Sequence, residues 1–120
     1  MLKVRIKKLG TLAILCLQGR IVVGETAALR DAVTSLTHVT VVVLDLTRIS
    51  MIDAAGFGLM LKLREELKAR GIEIRLMNPT DRVSRLFEIT RLNTVFEIAS
   101  PSAVPSFRRA VEVSDLVACA

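Results

Sequence analysis

Residues 39–59 read Val-Thr-Val-Val-Val-Leu-Asp-Leu-Thr-Arg-Ile-Ser-Met-Ile-Asp-Ala-Ala-Gly-Phe-Gly-Leu. The first part, Val39 to Leu46, is β-branched and almost continuously apolar, which is typical of a parallel strand covered on both faces. Residues 49–53 are predicted to form a connection ending at Asp53, whose carboxylate can cap the free amides of a following helix. Apolar side chains at helical spacing then predict a long amphipathic helix from Ala54 to Arg70, with Phe57, Met60, Leu61 and Leu67 as its buried stripe.

The rest of the chain alternates between strand and helix patterns. Residues 2–7 alternate apolar and basic side chains, as a half-buried strand does, and residues 12–17 are predicted to be its hairpin partner, ended by Gly19. Further helices are predicted at residues 25–36, 81–90 and 104–114, and further strands at residues 72–76 and 95–98. The order β-β-α-β-α-β-α-β-α predicts an α/β fold, a mixed and mostly parallel sheet with helices packed against it. We expect one domain over residues 1–114, with a frayed tail over residues 115–120.

Composition narrows the range of partners and locations. The chain has 120 residues and a formal charge of +5, but its basic residues are dispersed, and it has four Phe with no Trp or Tyr. Nucleic acid is therefore not expected as a partner, because single strands bind to aromatic platforms. No stretch resembles a signal peptide or a membrane span, so we expect a cytoplasmic protein without direct membrane insertion. Cys16 and Cys119 lie far apart, form no redox or metal motif and are expected to be reduced.

The residues that could carry catalysis do not form a recognisable set. His38 is the only histidine and lies in a turn-like stretch, which predicts an exposed loop residue without the orienting partner that a triad needs. Asp45 is predicted to end a strand and Asp53 to cap a helix, so a general acid–base pair is not favoured. A lone histidine also has no companion ligands for zinc. We therefore expect no enzymatic activity, no cofactor and no metal.

The strand, turn and helix of residues 41–59 carry a motif: a buried strand ending in Asp-Leu, a hydrophobic turn, and an Asp-small-small-Gly start to a helix. This motif resembles the STAS domain of the anti-sigma-factor antagonists, whose helix begins Asp-Ser-small-Gly-Leu-Gly. Other parts also fit the family: Gly19–Ile21, Arg70–Pro79, and the closing helix and strand at Leu86–Leu92 and Val95–Phe96. The resemblance covers roughly residues 2–112, and the order and spacing of its parts make it specific.

The resemblance implies a non-catalytic, bacterial protein-interaction module. A member of this family would bind an anti-sigma factor, commonly a protein with a histidine-kinase-like ATP-binding fold, and so release a sigma factor that regulates transcription. The expected partner-binding residues are Arg20, Ile21, Val22, Val23, Ser50, Met51, Asp53, Ala54, Ala55, Gly56, Phe57 and Gly58, with Asn78 and Pro79 as an extension. Pairing with a second copy stays open. The alternatives are an accessory STAS subunit of a lipid-transport ABC system and a scaffold domain of a signalling assembly.

Ala54 is the main departure from the family pattern. In phosphorylation-controlled members the residue after the capping Asp is the Ser or Thr that a kinase modifies, and a methyl group has no oxygen to accept a phosphate. Val22 and Val23 also stand where the family often has an Asp. The resemblance therefore implies a degenerate phosphosite at Ala54 that is not switched there. In the alternative interpretation, Ala54 and its small neighbours only allow the helix to pack closely on the sheet.

Overall fold

The structure, a computed structural model, describes residues 1–99, without the side chains of Glu97 and Ala99. Its strands are β1 (Lys3–Leu9), β2 (Leu12–Ile21), β3 (Val41–Ile52), β4 (Glu73–Met77) and β5 (Glu97–Ala99). Its α-helices are α1 (Ala27–Thr34), α2 (Ala54–Ala69) and α3 (Asp81–Ile89), and a short 3-10 turn spans Leu92–Thr94. The predicted helix over residues 104–114 and the predicted frayed tail lie outside the described residues.

The strands form one mixed sheet in the order β1-β2-β3-β4-β5. β1 pairs with β2 as an antiparallel hairpin, and every later pair is parallel. Gly10 at the hairpin turn has a φ of 62°, a conformation that glycine adopts without steric cost. The predicted fold class, a mixed and mostly parallel sheet with packed helices, is confirmed.

The sequence-based boundaries of β2 and β3 are wrong, because both strands run further than predicted. β2 continues past Gly19 to Ile21, and β3 continues through the predicted connection to Ile52, so Ser50 lies in a strand. The register between the two strands shifts twice in this extension, each time by one extra residue in β3. Each shift resets the alternation of side chains. The buried positions along this part of β3 therefore recur every third residue, at Leu46, Ile49 and Ile52. This spacing does not resemble the alternation of a regular strand.

The main core lies between the sheet and the three α-helices. The buried residues of α1, α2 and α3 all belong to a single cluster with one face of the sheet. Phe57, Met60 and Leu67 of α2 are buried as predicted, at 6%, 0% and 1% exposure. The Phe87 ring packs edge-on against Phe57, with 5.1 Å between the ring centroids. The helices therefore fix the start of α2 against the end of β3.

The opposite face of the sheet carries a second, smaller cluster, which we call the second face. Its buried members all come from strands: Leu12, Ile14, Cys16, Val43 and Met77. Cys16 is disulfide-bonded, so the expectation that its thiol is reduced is wrong, while Cys119 lies outside the described residues.

Candidate functional site

Asp53 joins two segments that are far apart in the sequence. One oxygen of its carboxylate accepts a hydrogen bond from the Gly56 N–H at 2.8 Å, which is the predicted N-cap of α2. The other oxygen accepts a hydrogen bond from the Val23 N–H at 3.0 Å. The backbone N–H of Asp53 in turn donates to the carbonyl of Ile21 at 3.3 Å. The end of β2, the end of β3 and the start of α2 therefore form one unit.

These hydrogen bonds also hold the charge of Asp53. The Val23 N–H, followed by the Gly56 N–H, lowers the pKa of the Asp53 carboxyl below its ordinary value, because both donors favour the ionised form. A negative charge at the N-terminus of a helix is further favoured by the helix dipole. At neutral pH the first turn of α2 therefore already carries one fixed negative charge.

Gly56 allows α2 to approach β2 closely. A β-carbon added at Gly56 would lie 1.9 Å from the carbonyl oxygen of Ile21, which no side chain tolerates. Gly58, two residues further on, is exposed and has nothing within 4 Å of the same added atom. The small residues at the start of α2 therefore have different roles, and only Gly56 is required by packing against β2.

A tight turn over residues 22–25 presents Val23 to solvent. The Glu25 N–H donates to the Val22 carbonyl at 3.0 Å, and Gly24 has a φ of 83°. Val23, at the tip, is 73% exposed. Glu25 was missed by the sequence analysis, and its carboxylate lies 3.5 Å from the guanidinium of Arg20. The signal that could have revealed this turn is Gly24, since glycine is the residue that most readily takes a positive φ.

Most of the predicted partner-binding residues meet at this end of the sheet. Ile21, Gly56 and Phe57 are buried, so they support the surface from below. The exposed or half-buried members form what we call the Asp53 surface: Arg20, Val22, Val23, Ser50, Met51, Asp53, Ala54, Ala55 and Gly58. Asn78 and Pro79 follow β4. Among the hydrogen bonds of residues 1–99, none joins either residue to the Asp53 surface.

Ala54 and Ala55 are exposed in the first turn of α2, directly after the capping carboxylate. The nearest hydroxyl along the chain is that of Ser50, which is exposed and donates to the Gly19 carbonyl at 3.3 Å. Ser50 lies in β3, outside the helix start whose free amides would favour a phosphate. A phosphate on Ser50 would therefore not lie at the free amides of the helix start.

The catalytic candidates stay apart. His38 is exposed in the loop before β3, whereas Asp53 follows the other end of that strand. Asp45 is buried within β3, where its carboxylate accepts from the backbone N–H and the hydroxyl of Thr47. Among residues 1–99, no group of three or more His, Cys, Asp or Glu side chains could hold a metal ion. In the same part of the chain, no helix is long and apolar enough to cross a membrane.

The order of strands and helices and the Asp53 cap agree with a known domain. The family model of the STAS domain matches residues 3–104. The chain belongs to the STAS domain family. This confirms the resemblance on which the expected function was based.

Relatives of this STAS domain include the anti-sigma-B factor antagonist of Listeria monocytogenes, which is 40% identical over 55 residues. That match covers 46% of this chain and 48% of the relative, so the chain spans about half the length of the curated relatives it matches. Two solved structures share the fold. An anti-sigma factor antagonist from Mycobacterium paratuberculosis has a TM-score of 0.74 at 16% identity, covering 93% of this chain and 95% of that one. The unphosphorylated anti-sigma factor antagonist SpoIIAA has a TM-score of 0.66 at 19% identity, covering 94% and 96%.

Proposed function

We propose that this STAS domain is an anti-sigma-factor antagonist, which binds an anti-sigma factor through the Asp53 surface and thereby releases a sigma factor in the bacterial cytoplasm. The observation that carries the proposal is the pair of hydrogen bonds to the Asp53 carboxylate, from Val23 at 3.0 Å and from Gly56 at 2.8 Å. They join the turn after β2 to the first turn of α2, so residues from both segments face solvent as one surface. The antagonist relatives support the choice of partner class.

The Asp53 surface has a chemistry suited to a protein partner. Its protruding part is apolar, with Val23 at 73% exposure beside the small side chains of Ala54 and Ala55. Charged groups stand at its margin, where Arg20 lies 3.5 Å from Glu25. An apolar centre with a charged rim is the usual anatomy of a protein interface. In this proposal the partner is an anti-sigma factor with a histidine-kinase-like ATP-binding fold.

The proposed function is binding without catalysis and without a phosphorylation switch at the helix start. A phosphate added to the first turn would place further negative charge next to the ionised Asp53, and removing this charge from water against an apolar partner would weaken docking. Ala54 offers no oxygen to such a phosphate. The proposal therefore makes the unmodified surface the permanent, binding-competent form.

The experiment measures binding to candidate anti-sigma factors by calorimetry, with the wild type, Ala54→Asp and Ala69→Asp. Ala69 is exposed at the opposite end of α2, about 22 Å from Ala54 for a helix that rises 1.5 Å per residue, so it is a matched control. Ala54→Asp is expected to weaken binding by about tenfold or more, equivalent to ~1.4 kcal/mol. Ala69→Asp is expected to bind like the wild type.

Two results would overturn the proposal. If Ala54→Asp binds as tightly as the wild type, the helix start lies outside the interface. If no anti-sigma factor of the source cell binds the wild type, the partner class is wrong. Thermal unfolding of both variants shows whether each one is folded under the conditions of the binding measurement.

A further inference from the structure

The second face of the sheet is buried although no described helix lies over it. Ile14 and Val43 point to this face and are only 0% and 2% exposed. The buried residues of α1, α2 and α3 all pack in the main core, on the opposite face. An apolar sheet face of this kind needs a cover, because each layer of a domain buries its apolar side against another layer.

The chain outside the described residues has the right starting point and length to provide that cover. The described part ends with β5, whose Ala99 pairs with Met77 of the second face. From β5 to β2 the sheet is three strand spacings wide, about 14 Å. A helix over residues 104–114, as the sequence predicts, would be about 16 Å long. Its apolar residues at helical spacing are Val104, Phe107 and Val111.

The charges at the far margin of the second face are opposite in sign to those in the later part of this segment. Val4 packs against the main core and Leu9 against the second face, so the alternation of β1 places Lys3 and Lys7 on the same side as Leu9. The later part of the segment carries Glu112 and Asp115, whereas its middle carries Arg108 and Arg109. A segment that crosses from β5 towards β1 brings these carboxylates close to the lysines.

The cysteines supply an independent observation. Cys16 belongs to the second face, is 7% exposed and is disulfide-bonded. The sequence contains one other cysteine, Cys119. We propose that residues 100–120 cover the second face as a C-terminal strap and that a Cys16–Cys119 disulfide fastens this strap. The strap lies on the face opposite α2, so it leaves the Asp53 surface open, and the proposal does not depend on the proposed function.

The fastening step is a thiol–disulfide exchange. The two protein thiols react with a small-molecule disulfide of the glutathione type, form one protein disulfide and release two small-molecule thiols, so two electrons and two protons pass to the oxidant. Disulfides in cytosolic proteins are usually transient and redox-sensing. In a reducing cytoplasm the strap is held by packing alone, and an oxidised thiol pool locks it.

The first test uses the full chain after equilibration with oxidised or reduced glutathione. The oxidised protein is expected to be a monomer that is lighter by two hydrogen atoms, resists alkylation and yields one cross-linked peptide pair containing Cys16 and Cys119. Disulfide-linked dimers would instead mean that a second copy covers the face and would overturn the proposal. Two thiols that remain alkylatable after oxidation would also overturn it.

The second test asks whether the strap covers Cys16 without the disulfide. In a Cys119→Ser background, the rate at which Cys16 reacts with a chromogenic aromatic disulfide reports how often the cover opens. Phe107→Asp is expected to raise this rate about tenfold or more, because it puts a charge on the covering side of the predicted helix. Val113→Asp makes a similar change on the opposite side of that helix and is expected to leave the rate unchanged. Equal rates in the two variants would overturn the proposal.

Discussion

The backbone N–H of Val23 donates a 3.0 Å hydrogen bond to the carboxylate of Asp53, 30 residues further along the chain. The same carboxylate caps α2 through Gly56. One side chain therefore stabilises a turn and a helix start at once, and its loss would loosen both. A mutation of Asp53 is therefore expected to lower the stability of the fold, in addition to any effect on partner binding.

Asp53→Asn is expected to reduce the free energy of unfolding most at neutral pH. The hydrogen bonds lower the pKa of Asp53 in the folded state below the unfolded value of about 3.9. The ionised carboxylate therefore stabilises the fold above that value, and this contribution is lost as the pH falls through the folded pKa. Urea unfolding at pH 7 and at pH 3 should show a smaller difference between wild type and variant at the lower pH. Asp31→Asn, at an exposed position of α1, is the control, and an equal pH effect in both variants would contradict the prediction.

Gly56→Ala and Gly58→Ala are expected to have opposite effects on stability. The new methyl at residue 56 would collide with the Ile21 carbonyl, so the helix must shift, at a cost of about 1–3 kcal/mol or more. At residue 58 the methyl meets open space, and replacing glycine inside a helix should stabilise it by roughly 0.5–1 kcal/mol. Thermal unfolding of the two variants checks both signs. A neutral Gly56→Ala would show that α2 and β2 are not held in close contact.

Leu63→Ala and Leu67→Ala should each lower the free energy of unfolding by about 2–5 kcal/mol. Both side chains are 1% exposed in the main core. Leu61 is only half-buried on the same helix, so Leu61→Ala makes an equal change in size with a smaller expected loss. Urea unfolding of the three variants ranks their losses in the free energy of unfolding. If the loss for Leu61→Ala is as large as the other two, α2 must turn a different face towards the sheet.

Ala54→Ser should restore a phosphate acceptor in the first turn of α2, and under the proposed function an anti-sigma kinase should modify it. The hydroxyl would lie at a helix N-terminus, where backbone amides and the dipole favour an added phosphate. Incubation with candidate anti-sigma kinases and ATP should add one phosphate to the variant and none to the wild type, as measured by intact mass. Stoichiometric phosphorylation of the wild type with loss of partner binding would instead show that control passes through another residue.

The sequence predicted correctly those features that depend on the residues of one helix or strand alone. The cap at Asp53, the helix from Ala54 and the buried positions Phe57, Met60 and Leu67 follow from local spacing, and all are found in the structure. Leu61 was expected in the buried stripe but is half-buried, while Leu63 was not expected and is buried. A small rotation of the buried face of this kind depends on the sheet beneath the helix, which local spacing does not describe.

Features that depend on two segments at once could not be predicted in this way. The extension of β3 through Ser50 rests on pairing with β2 and on two register shifts, so its own residues lack strand alternation. The hydrogen bond from Val23 to Asp53 likewise joins a turn to a helix cap. The candidate site was therefore predicted as a set of residues, but its division into exposed and supporting members required the fold.

The bulged extension of β2 and β3 has a consequence for the affinity with which a partner binds. It carries the Asp53 surface on two paired strands and a capped helix, so this surface is shaped during folding. A binding partner would then spend little free energy on immobilising the backbone, and a preorganised surface gains affinity mainly by avoiding that expense. The amide hydrogen of Val23, although it lies in an exposed turn, should exchange with solvent as slowly as those of the neighbouring strand, before any partner is added.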